Sequence, residues 1–188
     1  MLDIGRGVNY IYEKNNLHMK IDFLIVALAT LIPLIVGFIW YNPKVFGAAW
    51  MKTTGMTEEK AKQANMAVIF GLTILFSFMI AMVLNGLVIH QYGLMSLIAD
   101  DPKAFKDPTA ESTIWFNASM DKYGAGFRTF KHGAFHGFII SLMLVLPVIG
   151  TNALFERRGF KYIMINWGYW AVCLMLMGGT ICQWATII

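Results

Sequence analysis

Charge is the property that this sequence has least of. Asp, Glu, Lys and Arg make up 14% of its 188 residues, whereas 57% of the residues are hydrophobic. Soluble domains carry about 25% charged residues, which cover much of the folded surface. So few charges cannot cover this much apolar area, and this excludes an ordinary water-soluble fold. The same apolar excess excludes an intrinsically disordered chain. The composition therefore predicts a membrane protein.

Charged residues are missing altogether from four long stretches, residues 23–41, 63–99, 132–155 and 162–188. A helix needs about 20 apolar residues to cross the hydrocarbon core of a bilayer, so each stretch can hold one span. The longest stretch has no Pro and no polar cluster that would form a turn between two spans. We therefore predict an all-α membrane protein with four transmembrane helices, near residues 21–42, 66–92, 132–154 and 161–186.

An N-terminal extension precedes these spans. Residues 1–18 contain charges and no continuous apolar core, so we do not expect a secretory signal peptide. Translation could start at Met1 or at Met19, and the sequence leaves this choice open. Residues 19–188 are predicted to form a single transmembrane domain with an extramembrane loop at residues 93–131.

Aromatic residues and a proline mark the end of the first span. Trp40 and Tyr41 are typical of residues at the level of the lipid headgroups, and Pro43 ends the helix. The apolar residues of the next segment, up to Trp50, share one helical face, which predicts a short helix lying in the membrane interface. Beyond it, Thr57 is expected to cap a helix that runs unbroken into the second span.

Positive charge is concentrated in two short loops. Residues 43–65 and 155–160 carry Lys and Arg with few acids, whereas acids match the cations of the other loops. Because short basic loops remain in the cytoplasm, we predict these two loops inside, both termini outside, and a multi-pass location in a cell (inner) membrane. The expected partners are the bilayer, with anionic headgroups at the basic loops, and a second copy or another membrane protein. Nucleic acid is not an expected partner.

Several signatures of chemistry are also missing. The sequence contains no nucleotide-binding loop, nucleophile elbow, Cys-x-x-Cys pair or carboxylate dyad, and we predict neither a cofactor nor a catalytic residue. The two cysteines, Cys173 and Cys182, lie on opposite faces of one predicted helix and cannot form a disulfide with each other. No ionisable residue lies deep in a span, which argues against ion-coupled transport.

All four histidines are predicted on one side of the membrane, where Asp22, the Asp100-Asp101 pair and Cys182 could approach them. His132 and His136 are four residues apart and share a helical face, a spacing that metal sites on helices use. His90, at the end of the second span, is predicted on the same side of the membrane. These three residues are the candidate metal ligands, although histidines also occur at membrane interfaces without binding a metal.

Two further groups of residues have predicted structural roles. Pairs of small residues four apart, Ala67 with Gly71 and Gly133 with Gly137, allow helices to approach closely in lipid. A second group is predicted to cap helix ends and to anchor the protein at the interface. Its members are Trp40, Tyr41, Pro43, Trp50, Asn152, Glu156, Asn166 and Trp170.

Two segments, residues 38–59 and 151–170, resemble a known family. The first contains Phe38-Ile-Trp-Tyr-Asn-Pro followed by Trp50-Met-Lys, and the second contains Thr151-Asn-Ala-Leu-Phe-Glu-Arg and Ile165-Asn-Trp-Gly-Tyr-Trp. Together they resemble the DUF1761 family of small, mostly bacterial multi-pass membrane proteins. The resemblance extends from about Met19 to Trp184. It implies a fold and a location, but no activity.

The function that the sequence favours is assembly. The leading hypothesis is a non-enzymatic membrane protein that acts by associating with itself or with a partner. The alternative is a permeation protein for a small solute or ion, and the third is a metal-binding protein or enzyme that uses the histidines. Assembly predicts a stable oligomer, permeation predicts flux in liposomes, and the third hypothesis predicts bound metal.

Overall fold

Four long helices dominate a computed structural model that describes residues 20–187. We name them span 1 (Phe23–Trp40), span 2 (Met66–Val88), span 3 (Phe130–Phe155) and span 4 (Phe160–Trp184). All four are long and apolar enough to cross a membrane, and the described residues contain no β-strand. The predicted all-helical fold with four spans is therefore confirmed. The N-terminal extension and the choice of start residue lie outside the described residues.

Shorter helices connect the spans. A five-residue π-helical turn at Pro43–Gly47 leads into a helix at Ala48–Thr54, where the sequence predicts the interfacial helix. Asn42 opens this segment, because its side chain accepts a hydrogen bond from the backbone N–H of Lys44 at 2.9 Å. The segment ends at Gly55, whose φ of +69° favours glycine. Three other short helices lie at Glu58–Lys62, Gln91–Ser96 and Glu111–Tyr123.

The helix that Thr57 begins does not continue into span 2. Thr57 caps it as predicted, by accepting from the N–H of Lys60, but the helix ends at Lys62. Span 2 then starts separately, and the Asn65 side chain accepts from the N–H of Val68 at 3.2 Å. The prediction of one unbroken helix was wrong because Asn65, a strong N-cap residue, competes with helix continuation.

Span 3 contains a wide turn just before Pro147. Residues Ser141–Val145 form a π-helical segment, in which the N–H of Leu146 bonds to the carbonyl of Ser141. Proline lacks an N–H and crowds the preceding turn, so the regular bonding pattern is disturbed at this point. The indole N–H of Trp167 on span 4 donates to the same Ser141 carbonyl at 3.0 Å. Span 4 thereby supports the irregular turn of span 3.

Span 4 is the central helix. In its most apolar 18 residues 56% are buried, against 28% or less in each of the other spans. The closest contact is with span 3, where Gly133 and Gly137 face span 4. A Cβ atom at either glycine would lie 2.1 Å from a span 4 carbonyl oxygen, that of Gly178 or Leu174 respectively. Only glycine therefore allows this distance between the two backbones.

The other predicted pair of small residues lies in open space. Ala67 and Gly71 are both exposed on span 2. A Cβ added at Gly71 would meet no atom within 4 Å, apart from its own helix backbone and chain neighbours. This pair therefore contributes nothing to packing among the described helices, unlike the pair on span 3.

The two described chain ends meet at one end of the bundle. The N–H of Lys20 donates to the carbonyl of Ile187 at 3.1 Å. The Asp22 carboxylate accepts from the N–H of Ile25, where it caps span 1, and from the N–H of Thr186 at 3.0 Å. Segment 91–129 packs over the same end and contributes Phe116, which is fully buried, to the hydrophobic core. We call this end the terminal end and the opposite one the loop end.

Candidate functional site

Three histidines from two separate parts of the chain converge at the terminal end. Each of His90, His132 and His136 offers a ring nitrogen, and these atoms all lie within 4.8 Å of one another. The Nε2 atoms of His90 and His132 are 2.8 Å apart. The three ring centroids are separated by 4.5 to 5.0 Å. We call this group the histidine cluster, and it consists of the three predicted ligands.

The start of span 3 places two of these histidines. The Thr129 side chain caps the helix by accepting from the backbone N–H of His132 at 3.3 Å. Four-residue spacing then puts His132 and His136 on one face. On the neighbouring face, Gly133 and Gly137 press directly against span 4. This close packing fixes the distance and rotation of span 3, and hence the position of both imidazoles.

The end of span 2 places the third histidine. Span 2 ends at Val88, and Ile89 adopts an extended backbone that turns the chain towards His90. The same part of span 4 contacts this end, because the thiol of Cys182 donates to the carbonyl of Val88 at 3.4 Å. Span 4 therefore holds the end of span 2 and the start of span 3 side by side, which brings the histidines together.

The short nitrogen–nitrogen distance defines the chemistry of the cluster. At 2.8 Å the two Nε2 atoms of His90 and His132 make a hydrogen bond in which one ring donates and the other accepts. The accepting imidazole must be neutral, which is the form that binds metals. With bonds of about 2.0–2.1 Å to a tetrahedral Zn²⁺, two ligand nitrogens lie roughly 3.4 Å apart. The Nε2 atoms of His90 and His132 are closer than this, so the two rings would have to move apart slightly to hold such an ion.

The cluster is accessible from outside the bundle. His90 is exposed, and His132 and His136 are half-buried. Three protein ligands leave one position open on a tetrahedral ion, as in catalytic zinc sites, whereas structural zinc sites use four. The arrangement can therefore hold a metal ion and leave room for one further ligand.

A small cavity adjoins His90. Its volume is about 230 Å³, and Gln91, Tyr123 and Phe127 contribute to its wall. The Gln91 amide is buried, and its Nε2 donates to the carbonyls of Tyr123 at 3.1 Å and Gly126 at 2.9 Å. Its Oε1 atom is buried and has no hydrogen-bond partner among the described residues. Gln91 was not predicted from the sequence, because nothing in a single Gln indicates which carbonyls will orient it.

A larger apolar groove lies between spans 2 and 3, with span 4 as its floor. Its volume is about 480 Å³, and Trp170 and Leu174 form the floor. On span 3 the groove begins with Ile140, four residues after His136, and on span 2 it ends with Leu87, three residues before His90. One helical turn, about 5.4 Å, therefore separates the groove from His136 on span 3, whereas His90 follows the end of span 2 at Val88.

The predicted anchoring residues gather at the loop end. The indole N–H of Trp40 donates to the carbonyl of Ile165 at 3.1 Å. The Tyr41 hydroxyl donates to Oδ1 of Asn166 at 3.2 Å, and burial raises the pKa of this phenol, which keeps it protonated as a donor. The ring of Trp50 meets that of Tyr41 at 5.5 Å. These four side chains tie span 1 and the interfacial helix to span 4.

The remaining anchoring residues are less tightly placed. Pro43, Asn152 and Glu156 are exposed, and Trp170 lies in the groove instead of at the interface. The carboxylate of Glu156 is 3.6 Å from Nε of Arg158. Arg158, which the sequence analysis did not single out, donates to the carbonyl of Thr53 at 3.2 Å. Arg158 is one of several basic residues near this loop, and nothing in the sequence indicates that it is the one that contacts Thr53.

Comparison with known protein families shows to which family the chain belongs. The family model described as "Protein of unknown function (DUF1761)" matches residues 24–182. The chain belongs to the DUF1761 family. The matched region includes the whole histidine cluster and both walls of the groove, so these features of the DUF1761 chain lie inside the family domain. Comparison with curated proteins and with solved structures found no match.

Proposed function

We propose that this protein is a membrane metal-binding protein whose histidine cluster holds a divalent transition-metal ion. The observation that carries the proposal is the convergence of His90, His132 and His136, whose ring nitrogens lie within 4.8 Å of one another. Imidazole is a common ligand for zinc, copper, iron and nickel. Zn²⁺ is the first candidate, because three histidines and one open position form a frequent catalytic zinc geometry.

The packing around the cluster supports this function. The two histidines of span 3 lie beside glycines that fix the helix against span 4, so little freedom remains to be lost when a metal binds. The exposed His90 ring gives an ion access from the surrounding water. The oriented Gln91 amide adds a polar group to the wall of the cavity that adjoins His90.

The test is metal binding by the full-length protein, purified in a non-ionic detergent with a histidine-free affinity tag. Competition with a chromophoric chelator should show one Zn²⁺ per chain. Replacement of His90, His132 or His136 by Ala should weaken binding at least about tenfold, which corresponds to 1.4 kcal/mol. Zinc at about 100 times its Kd should also raise the unfolding free energy by about 2.7 kcal/mol.

Ser96→Ala is the matched control, because Ser96 is exposed in the helix that follows His90 but is not a metal ligand. This variant should bind zinc like the wild type. Equal zinc binding by the wild type and by the triple variant lacking all three histidines would contradict the proposal. So would wild-type protein that binds no zinc, copper, nickel or cobalt.

We further propose that the four spans cross a bacterial cell (inner) membrane with the terminal end outside. The support is the distribution of charge, since the two short loops at the other end are rich in Lys and Arg. In this orientation the histidine cluster faces the outside. A single cysteine placed at Lys52 should then be shielded in intact cells from an impermeant thiol reagent, whereas one placed at Lys106 should react.

Self-association is a second candidate function, and one observation favours it. Ala67 and Gly71 are exposed on span 2, and Gly71 lies in an open groove of about 510 Å³ beside span 1, where an added Cβ would meet no atom within 4 Å outside its own helix. In lipid, exposed pairs of small residues allow two helices to pack with their backbones close together. Span 2 is therefore the proposed contact between two copies of the chain.

A further inference from the structure

We propose that the groove and the histidine cluster together form one binding site for a long-chain fatty acid. Its carboxylate would take the open position on the metal, and its hydrocarbon chain would lie between spans 2 and 3. The inference rests on the proposed metal-binding function and adds the class of ligand. Three observations support it: the groove leads to the histidine cluster, its lining is apolar, and a metal ion bound at the cluster would carry positive charge.

The first argument is continuity along the helices. On span 3, His136, Ile140 and Leu144 follow one another at spacings of four residues, so they form one stripe. The last two of these line the groove. On span 2, Val83 and Leu87 line the groove, and His90 comes three residues later. His136 therefore continues the span 3 wall, and His90 follows the end of span 2 just beyond the other wall, so the cluster lies at the mouth of the groove.

The second argument is the character of the groove itself. All its lining residues are apolar, and Trp170 is the one that also carries a hydrogen-bond donor. Its volume of about 480 Å³ lies within the range of about 300–1,000 Å³ that is typical of small-molecule sites. A groove of this size between two helices suits one hydrocarbon chain better than the paired chains of a phospholipid. The part of the ligand that lies in the groove is therefore a single apolar chain.

The third argument is charge complementarity at the mouth. Three neutral imidazoles leave a divalent ion with its full double charge. No Asp or Glu belongs to the cluster or lines the groove among the described residues. An anionic oxygen ligand is therefore favoured at the open position. A fatty acid fits both parts of the site. Its carboxylate binds the cation at the histidine cluster, and its apolar chain lies in the groove.

The experiment uses full-length protein in nanodiscs of phosphatidylcholine, loaded with Co²⁺ as a spectroscopic substitute for zinc. Palmitate added to the nanodiscs should change the visible absorption of the bound Co²⁺, because a carboxylate replaces water at the metal. Methyl palmitate has the same chain without the charge and should produce no change. Concentrations are expressed as mole fraction in the bilayer, so partitioning into lipid does not enter the comparison.

Groove-filling variants test the position of the chain. Val83 and Val148 line the groove and are exposed, so Val83→Trp and Val148→Trp add volume there without entering the packed core. Each should raise the half-saturating mole fraction of palmitate at least about tenfold. Co²⁺ affinity should remain within about twofold of the wild type, which also shows that the variant is folded. Ile69→Trp, on an exposed face of span 2 outside the groove, is the matched control and should behave like the wild type.

The outcomes separate the two proposals. Protein that does not bind Co²⁺ or Zn²⁺ would overturn both. Protein that binds Co²⁺ but shows no palmitate-dependent change, or an equal change in the groove-filling variants and in the wild type, would overturn the fatty-acid inference alone. An equal spectral change with phosphatidylglycerol, whose phosphate is also anionic, would overturn the assignment of a single-chain carboxylate.

Discussion

At the scale of single residues, the histidine cluster depends on two glycines that bind nothing. Gly133 and Gly137 let the backbone of span 3 touch that of span 4, and His132 and His136 occupy the adjacent face. The sequence indicates both pairs by their spacing. It does not indicate that the glycines control the position of the histidines, because that depends on which helix they face.

A substitution at Gly133 tests this dependence. In Gly133→Ala the new Cβ would lie 2.1 Å from the carbonyl oxygen of Gly178, so the two helices must move apart. We expect a loss of about 1–3 kcal/mol in unfolding free energy, as for other overpacked sites, measured by thermal or denaturant unfolding in detergent. Zinc affinity should fall in the same variant.

Gly150→Ala is the control for Gly133→Ala. Gly150 also lies in span 3, but an added Cβ meets no atom within 4 Å outside its own helix backbone. There the higher helix propensity of Ala should stabilise the protein by about 0.5–1 kcal/mol. A destabilisation of similar size in both variants would show that the close contact with span 4 is not the cause.

At the scale of helices, local capping decides where each helix begins. Asp22, Thr57, Asn65 and Thr129 all accept a backbone N–H three residues ahead. The four spans could nevertheless be located from the sequence to within a few residues, because each lies in a charge-free apolar stretch long enough to cross a bilayer. The one wrong helix boundary concerned Asn65, where a cap inside a charge-free stretch was overlooked.

Asp22 makes one of these caps sensitive to pH. Hydrogen bonds from Thr186 and Ile25 hold the pKa of its carboxyl below the usual value of 3.8. Because the folded-state pKa is lowered, the stabilisation is complete above the unfolded-state pKa and is lost as the pH falls through the folded-state value. The wild type should therefore unfold at a higher temperature than Asp22→Asn at pH 7, and the difference should disappear once the pH falls below the lowered pKa of Asp22.

The Asn side chain of this variant can still cap span 1, so the comparison reports the charge and not the cap. Thermal unfolding of both proteins across the acidic range provides the measurement. A difference in unfolding temperature that stayed constant from neutral to strongly acidic pH would mean that the Asp22 charge contributes nothing.

At the scale of the whole molecule, the exposed face of span 2 predicts association between copies. Gly71→Leu should lower the dimer fraction in nanodiscs or detergent, because the larger side chain separates the two backbones. Single-molecule photobleaching would measure that fraction. Gly86→Leu is the control, since Gly86 is also an open glycine on span 2 but lies four turns further along. A wild-type protein that is monomeric at every concentration would contradict this prediction.

The order of the helices in space could not be predicted in the same way as the helices themselves. Spans 1, 2 and 3 are all strongly apolar, and their outward faces are as apolar as their inward ones. Hydropathy therefore does not show which faces meet. The small residues illustrate the ambiguity, since Gly133 faces span 4 while Gly71, with an equivalent motif, faces open space.

By itself, the sequence determined the class of the protein, its four spans, the cap at Thr57 and the three histidines that share one end. These follow from composition, hydropathy and capping, which act over a few neighbouring residues. Only the tertiary structure decided that the histidines meet, that Gln91 is oriented beside them, and that an apolar groove leads to the cluster. Those features depend on how span 4 holds spans 2 and 3 against itself, and such long-range packing leaves no local signal in the chain.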